Sequence, residues 1–194
     1  MLATAKPRSA HRPVGSFPFA VAITPNGAFA YVVNVGSFNV SVISTATNTV
    51  VATVGVPGNG PVGVDITPNG AFVYVTIQNS DTVAVIATAT NTVVTTVPVG
   101  TSPVNLAIDP TGAFAYVPNL FSDNVSVIST ATNTVVATIP VVGGPISIAF
   151  GVRTQGPTDK DQCKNGGWQT FTNPAFKNQG QCIKFVNHMD EGIH

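Results

Sequence analysis

The sequence predicts an all-β chain of four-stranded antiparallel blades, an architecture of the β-propeller type, and three observations carry that prediction. The heptapeptide Thr-Ala-Thr-Asn-Thr-Val-Val recurs unchanged at 45–51, 88–94 and 130–136, so its period is 43 and then 42 residues. Repeats of about 40–45 residues with four strands each are the sequence mark of propeller blades. Within each repeat the apolar residues alternate with period two and are rich in Val, Ile, Phe, Tyr and Thr, the residues that fit a pleated, half-buried surface. Finally, the 194 residues are 44% hydrophobic and only 8% charged, against about 25% charged in an average soluble domain. Disordered chains have the opposite balance. No run approaches the ~18 apolar residues of a spanning helix.

The elements of one unit follow in order. A proline opens each repeat, at Pro18, Pro61, Pro103 and Pro145, giving three full units and the first strand of a fourth. In the first unit, strands are expected at about 18–24, 28–35, 39–45 and 49–56. The first two are joined by Pro25-Asn26-Gly27, repeated as Pro68-Asn69-Gly70 and Pro110-Thr111-Gly112; Gly there accepts positive φ and sets a tight hairpin. The last two are joined by Ala-Thr-Asn-Thr, where Asn tolerates the left-handed conformation. The middle loops, 35–39, 78–82 and 120–124, differ most between repeats. Pro118 falls at a strand position, where a missing amide is tolerated mainly at an edge or a bulge.

Charge is segregated. Residues 1–13 carry Lys6, Arg8 and Arg12 and no acid, whereas 14–151 contain no Lys, Arg or Glu, only Asp65, Asp81, Asp109 and Asp123. Nucleic-acid binding needs cations that displace condensed counterions, and this region has none. The expected organisation is a flexible basic arm over 1–13 and repeats over 14–151, with blades at about 18–56, 57–99 and 100–141 and a lone strand at 145–150. A linker over 152–160, a Cys-tied module over 161–188 and a tail over 189–194 follow.

The run Pro-Asn-Gly-x-x-x-Tyr-Val, then Val-x-Val-Ile-x-Thr-Ala-Thr-Asn-Thr-Val-Val, resembles the YVTN (YncE-like) β-propeller repeat over about 14–150. The name-giving tetrapeptide stands here as Tyr31-Val32-Val33-Asn34, Tyr74-Val75-Thr76-Ile77 and Tyr116-Val117-Pro118-Asn119, so no copy is perfect. Three blades and one strand do not close a ring of four to eight blades. Truncation of a longer propeller, ring closure by two or more copies, and a partial fourth blade built from the tails all remain open.

After Phe150 the composition changes. The stretch around Cys163 and Cys182 resembles a short Cys-containing module at the C-termini of secreted bacterial proteins. Asn173-Pro174 is expected to open one of two short facing helices, with Ala175, Gln179, Cys182 and Val186 on one face. Trp168, Phe171, Phe176 and Phe185 would form a small core. Two cysteines 19 residues apart suggest a disulfide, worth about 3 kcal/mol in the chain-entropy model, with two buried free thiols as the alternative. A disulfide points to an oxidising compartment, although no apolar leader segment is visible before Lys6-Pro7-Arg8. His188 and His194 with two Cys make a poor metal set.

Catalysis needs a titratable group of tunable pKa in a pocket, and 14–151 contain no His, Cys, Lys, Arg or Glu. Asp109 precedes a hairpin proline and is expected to accept turn amides. Asp81 and Asp123 stand in the middle loops and are expected to face solvent, with an oxygen-only Ca²⁺ site as the alternative. Asp65 replaces Ala22 and Ala107 on the innermost strand, and with Asn105 it is the candidate ligand contact. Asn39-Val-Ser and Asn124-Val-Ser match the glycosylation sequon but read as strand starts.

The expectation is therefore a non-enzymatic, cofactor-free recognition or scaffold domain. It would act outside the cell or at the cell surface, with protein or carbohydrate bound at its loop faces. The alternative is a fragment of a larger propeller enzyme or redox protein whose catalytic residues lie in other blades.

Overall fold

The computed structural model describes residues 13–150, 163–164, 177–179 and 181–184. The chain divides into two compact units, 1–150 and 151–194. In the first, twelve strands form three separate four-stranded sheets, each antiparallel and each ordered as in the sequence. The first blade holds β1 (Pro18–Ile23), β2 (Phe29–Asn34), β3 (Asn39–Ser44) and β4 (Thr49–Gly55). The second holds β5 (Pro61–Ile66), β6 (Phe72–Ile77), β7 (Thr82–Ala87) and β8 (Thr92–Pro98). The third holds β9 (Ala107–Ile108), β10 (Phe114–Asn119), β11 (Asn124–Ser129) and β12 (Thr134–Pro140).

The repeated turn residues explain why the strands end where they do. In the first hairpin Gly27 takes φ 70°. The Thr24 hydroxyl donates to Asn26 Oδ1 at 2.7 Å and accepts from Phe29 N–H at 3.0 Å. Thr67 and Asn69 repeat this arrangement. In the third blade the roles are exchanged, so that Thr111 donates to the Asp109 carboxylate, which also accepts the Phe114 amide. At the other turn, Asn48, Asn91 and Asn133 all sit at φ 53°. The first Thr of each heptapeptide ties the two turns of its blade together: Thr45, Thr88 and Thr130 donate to the Gly27, Gly70 and Gly112 carbonyls at 2.6–2.7 Å.

The first strands are innermost, with β5 packed against both β1 and β9. The third inner strand is much shorter than its counterparts. The Leu120 amide and the Pro118 carbonyl both face the inner strand, so the amide that proline lacks is one that would have faced it too. Ladder pairing is left to Ala107 and Ile108, with an isolated bridge from Pro103 to Asn119. The segment 145–150, expected as the first strand of a fourth blade, belongs to no sheet. An inner strand pairs only with a second strand, and none follows it among the described residues.

Burial follows the stacking of blades. The middle blade is covered on both faces, and Val73, Tyr74, Val75, Ile77, Val83 and Val85 are fully buried. One apolar cluster joins the first and second blades and another joins the second and third. The end blades each present a bare apolar face: Phe19, Val21 and Ile23 on β1 are exposed, and every residue of β12 is exposed.

One hydrogen bond recurs across these interfaces. Tyr31 donates its hydroxyl to Asn91 Oδ1 at 2.7 Å, and Tyr74 donates to Asn133 Oδ1 at 2.6 Å. Each links the second strand of one blade to the left-handed turn of the next. Burial raises the Tyr31 phenol pKa and pushes that of Tyr74 up to about 12.

Polar groups are also buried inside the end blades. Asn34 Nδ2 donates to Asn39 and Ser41, and Asn119 Nδ2 to Asn124 and Ser126, at 2.7–2.9 Å. The second blade has Ile77, Thr82 and Ala84 in these three places. Asn34 and Asn119 are wholly buried, and the Oδ1 of each has no partner among the described residues.

In the second unit Cys163 and Cys182 form a disulfide with Cα atoms 5.6 Å apart. Asn178 Oδ1 accepts the Gln181 amide at 3.0 Å and Gln181 Oε1 accepts the Lys177 amide at 2.9 Å. This reciprocal pair resembles a capping box and starts a helical turn through Gln181–Lys184. The expected single helical face through 175–186 is thus corrected, because a bend at Lys177 and Asn178 precedes the cap. The basic arm over 1–12, the linker, Asn173-Pro174, Trp168, Phe171, Phe176, Phe185, His188, His194 and the tail lie outside the described residues.

Two outcomes are expected. Asn119→Ile alone should cost about 1–3 kcal/mol, since Asn124 and Ser126 lose their buried donor. Adding Asn124→Thr and Ser126→Ala should bring stability back to within about 1 kcal/mol of the parent, as the third blade then carries the Ile, Thr and Ala that the second blade has in these places; urea midpoints of the two variants check this. For Tyr74, raising the folded pKa above the ordinary 10.0 means that the folded state holds the proton more tightly. That contribution is complete below about pH 10 and is lost as pH rises toward about 12. Absorbance at 295 nm should show a late-ionising phenol that Tyr74→Phe removes.

Candidate functional site

Alternation of strand direction sorts the connections onto two faces. The Pro-x-Gly hairpins and the Thr-Ala-Thr-Asn-Thr turns lie at one end of the blades. The loops between second and third strands, and the connections from one blade to the next, lie at the other. At this second end the inner strands surround a cavity of about 340 Å³. Phe19, Val62, Val104 and Ile146 give it an apolar wall, and Gln78 and Asn105 supply its polar side chains. It lies where the channel mouth of a closed propeller would be, and it is mostly apolar with a few convergent polar groups, as small-molecule sites are.

The two candidate contacts part company here. Asn105 lines the cavity. Its Oδ1 accepts the Leu106 amide at 2.8 Å, while Nδ2 reaches Ser147 Oγ only at 3.5 Å, so the amide hydrogens are its available donors. The irregular backbone opposite Pro118 is what puts Asn105 on this rim. Gly63 on β5 permits the close approach, since a Cβ there would lie 2.9 Å from the Asn105 Cα. Asp65 is not part of the cavity wall. Its Oδ1 accepts the Ile66 amide and its Oδ2 the Ile108 amide, both at 2.8 Å. An inner strand is a sheet edge with unpaired amides, and this carboxylate satisfies one of them across the blade boundary.

Gln78 was not singled out by sequence reasoning. It opens a short 3₁₀ turn after β6 (Gln78–Ser80) and donates through Nε2 to Ser102 Oγ at 3.1 Å. The corresponding positions in the other repeats are Val35 and Leu120. That one polar residue among three equivalent sites was the available signal.

Asp81 and Asp123 are exposed, at φ 55° and 49°. Asp81 Oδ1 accepts the Ser102 amide and Asp123 Oδ1 the Gly144 amide, both at 2.8 Å. Each carboxylate pins the connection that leaves its own blade. Among the described residues no group of three or more His, Cys, Asp or Glu comes together to hold a metal ion. No helix of the described residues is long and apolar enough to cross a membrane.

All four Asp carboxylates of the blades therefore accept backbone amides, and the cavity holds amides but no titratable side chain. It can orient a ligand and polarise a carbonyl. It supplies no proton acceptor of its own.

Residues 5–140 match the model of the lactonase, seven-bladed β-propeller family. Hydrazine synthase of Kuenenia stuttgartiensis aligns at 26% identity and TM-score 0.65, over 73% of this chain and 41% of that one. A functionally unknown protein of Desulfotomaculum acetoxidans aligns at 27% identity and TM-score 0.59, over 64% and 43%. A candidate 6-phosphogluconolactonase of Bacteroides uniformis shares the fold at 22% identity and TM-score 0.63, over 70% and 44%. The chain thus spans 41–44% of the length of these structures. A comparison with curated proteins gives no match.

These findings correct the expectation of a non-enzymatic recognition or scaffold domain, because the matched family is one of lactonases, which are hydrolytic enzymes. The missing His, Glu, Lys and Arg describe three blades, whereas the family ring has seven. The chain belongs to the lactonase, seven-bladed β-propeller family.

Proposed function

We propose that the chain forms part of a lactone-hydrolysing propeller and holds an uncharged cyclic ester at the channel mouth. The cavity carries this reading: an apolar wall with the Asn105 and Gln78 amides on its rim, in a chain of the lactonase family. In such hydrolysis water adds to the ester carbonyl, the ring C–O bond breaks, and the ring oxygen takes up a proton to give a hydroxy acid. Asn105 Nδ2 and Gln78 Nε2 are the donors available to the carbonyl oxygen as negative charge develops on it. The group that accepts the water proton comes from outside residues 14–151, since the four carboxylates within them are committed to backbone amides.

The lining of this cavity favours an uncharged substrate: its side chains are apolar or neutral amides, with no cation among them to pair with a phosphate. Its apolar residues Phe19, Val62, Val104 and Ile146 favour a lactone with an alkyl or otherwise uncharged substituent. Within the family we assign the repeats to the YVTN (YncE-like) type on their Tyr-Val and Thr-Ala-Thr-Asn-Thr motifs. The disulfide between Cys163 and Cys182 supports an oxidising, extracytoplasmic setting.

The test is pH-stat hydrolysis of an alkyl-substituted δ-lactone beside a phosphorylated sugar lactone. The alkyl lactone should be opened faster than in buffer and the phosphorylated one should show no preference over it. Asn105→Ala should lower kcat by about a hundredfold, the size of the loss of one oxyanion donor. A chain that accelerates neither lactone would sink the reading.

A further inference from the structure

Gln78 and Ser102 depart from the repeat together. Gln78 is polar where the other repeats have Val35 and Leu120. Ser102 precedes a repeat-opening proline, as Phe17, Gly60 and Gly144 do. All four of these residues are left-handed, at φ 52°, 76°, 57° and 39° in chain order, a conformation that glycine takes without steric cost. The two changed residues meet across the boundary between the second and third blades, where Gln78 Nε2 donates to Ser102 Oγ at 3.1 Å. After the third blade the same two places hold Leu120 and Gly144, and a Cβ on that glycine would lie 3.0 Å from Leu120 Cδ1. An apolar side chain over glycine is thus exchanged for an amide over a hydroxyl, at the boundary whose Gln78 and Asn105 line the cavity.

Ser102 keeps its left-handed backbone because its surroundings leave it no other. Asp81 Oδ1 accepts its amide at 2.8 Å, and its carbonyl accepts the Leu120 amide at 3.0 Å. The residue is 5% exposed. Just before it, the Thr101 amide donates to Ser122 Oγ, and a Cβ on Gly100 would lie 2.7 Å from the Asn119 Cγ. Residues other than glycine persist in this region only where they are over-determined in this way, and they gather at functional sites. Glycine would meet every backbone demand here without strain. What serine adds is its hydroxyl, and the partner of that hydroxyl is Gln78.

We infer that Ser102 is a positioning residue of the cavity: its hydroxyl anchors the Gln78 side-chain amide, and Asp81 steadies the anchor by holding the Ser102 backbone. A primary amide carries two N–H groups. Ser102 takes one, and the other is left for a ligand. A glutamine side chain ordered only on binding would lose rotamer freedom at that moment, whereas one anchored beforehand is already placed where charge develops. Ser102 and Asn105 stand on the same connection, three residues apart, so one stretch of backbone sets the positions of both donors. What the second N–H meets rests on the lactone-hydrolysing reading; the anchor itself does not.

Ser102→Gly tests this, because glycine is what two other repeats carry in this place and it keeps the left-handed backbone. Its urea midpoint should stay at that of the parent. In ¹⁵N–¹H spectra of the full chain, the side-chain amide signals that Gln78→Ala removes identify Gln78. One of its two protons should exchange slowly with solvent, and Ser102→Gly should speed that exchange by about threefold to tenfold, the weight of one neutral hydrogen bond. With the alkyl-substituted δ-lactone, Ser102→Gly should lower kcat by a similar factor and leave KM nearly unchanged, as expected for an interaction made only in the transition state. In the Gln78→Ala background the same substitution should lower kcat no further, since Ser102 acts through Gln78. A Gln78 signal indifferent to Ser102→Gly would overturn the inference. So would an equal fall in kcat with and without Gln78, which would give Ser102 a general structural role. If the signal responds and neither lactone is opened, the anchor stands and the lactone reading falls.

Discussion

A four-stranded blade has two apolar faces and cannot bury either by itself. Everything else in this molecule follows from that constraint. Burial has to come from a neighbouring blade, and the repeats are built so that one neighbour fits like the next. Two apolar clusters do this work between three blades, and the buried Tyr-to-Asn bond at each boundary fixes how far one blade turns against another. The heptapeptide is invariant along the chain because nearly every position in it has a task. Its first Thr binds the opposite hairpin, its Asn supplies both the left-handed turn and the phenol acceptor, and its valines enter the fourth strand.

Charge is scarce for a related reason. Each inner strand is an unpaired sheet edge at the centre of the molecule, and each departing connection carries amides that need acceptors. The few carboxylates are placed at these points: Asp65 across an inner boundary, Asp81 and Asp123 at the connections, Asp109 in a hairpin. A carboxylate committed in this way rigidifies the channel wall and is removed from chemistry. The side chains left for a ligand are the neutral amides of Asn105 and Gln78.

Most of the architecture could be read from the residues, since it is dictated locally and three times over. Gly27, Gly70 and Gly112 take the positive φ their hairpins require, Asn48, Asn91 and Asn133 take the left-handed turn, and Asp109 accepts turn groups. What escaped was non-local. Asp65 was read as facing a ligand, but its second oxygen finds an amide 43 residues away, and sequence spacing within a blade cannot show that. The contraction of β9 depends on which side of β10 Pro118 turns its missing amide. Gln78 was hidden in a variable loop and emerges only when equivalent positions are superposed. The expectation of a non-enzymatic domain rests on the residues of three blades, whereas the family the chain belongs to has seven.

Repeats this alike pose a problem of identity during folding: a strand must choose its own blade over a neighbour offering nearly the same sequence. The Asn34, Asn39 and Ser41 set and its equivalent in the third blade are polar, while the second blade substitutes Ile77, Thr82 and Ala84. If β2 paired with β7 in the native register, the Asn34 amide would face Thr82 and Ala84, with at most the Thr82 hydroxyl in place of the two acceptors it has in its own blade. A buried N–H left without its partner costs on the order of 1–3 kcal/mol, enough to disfavour the exchange by roughly a factor of ten. Adjacent blades thus carry unlike labels, and the two that share a label are kept apart by the one between them.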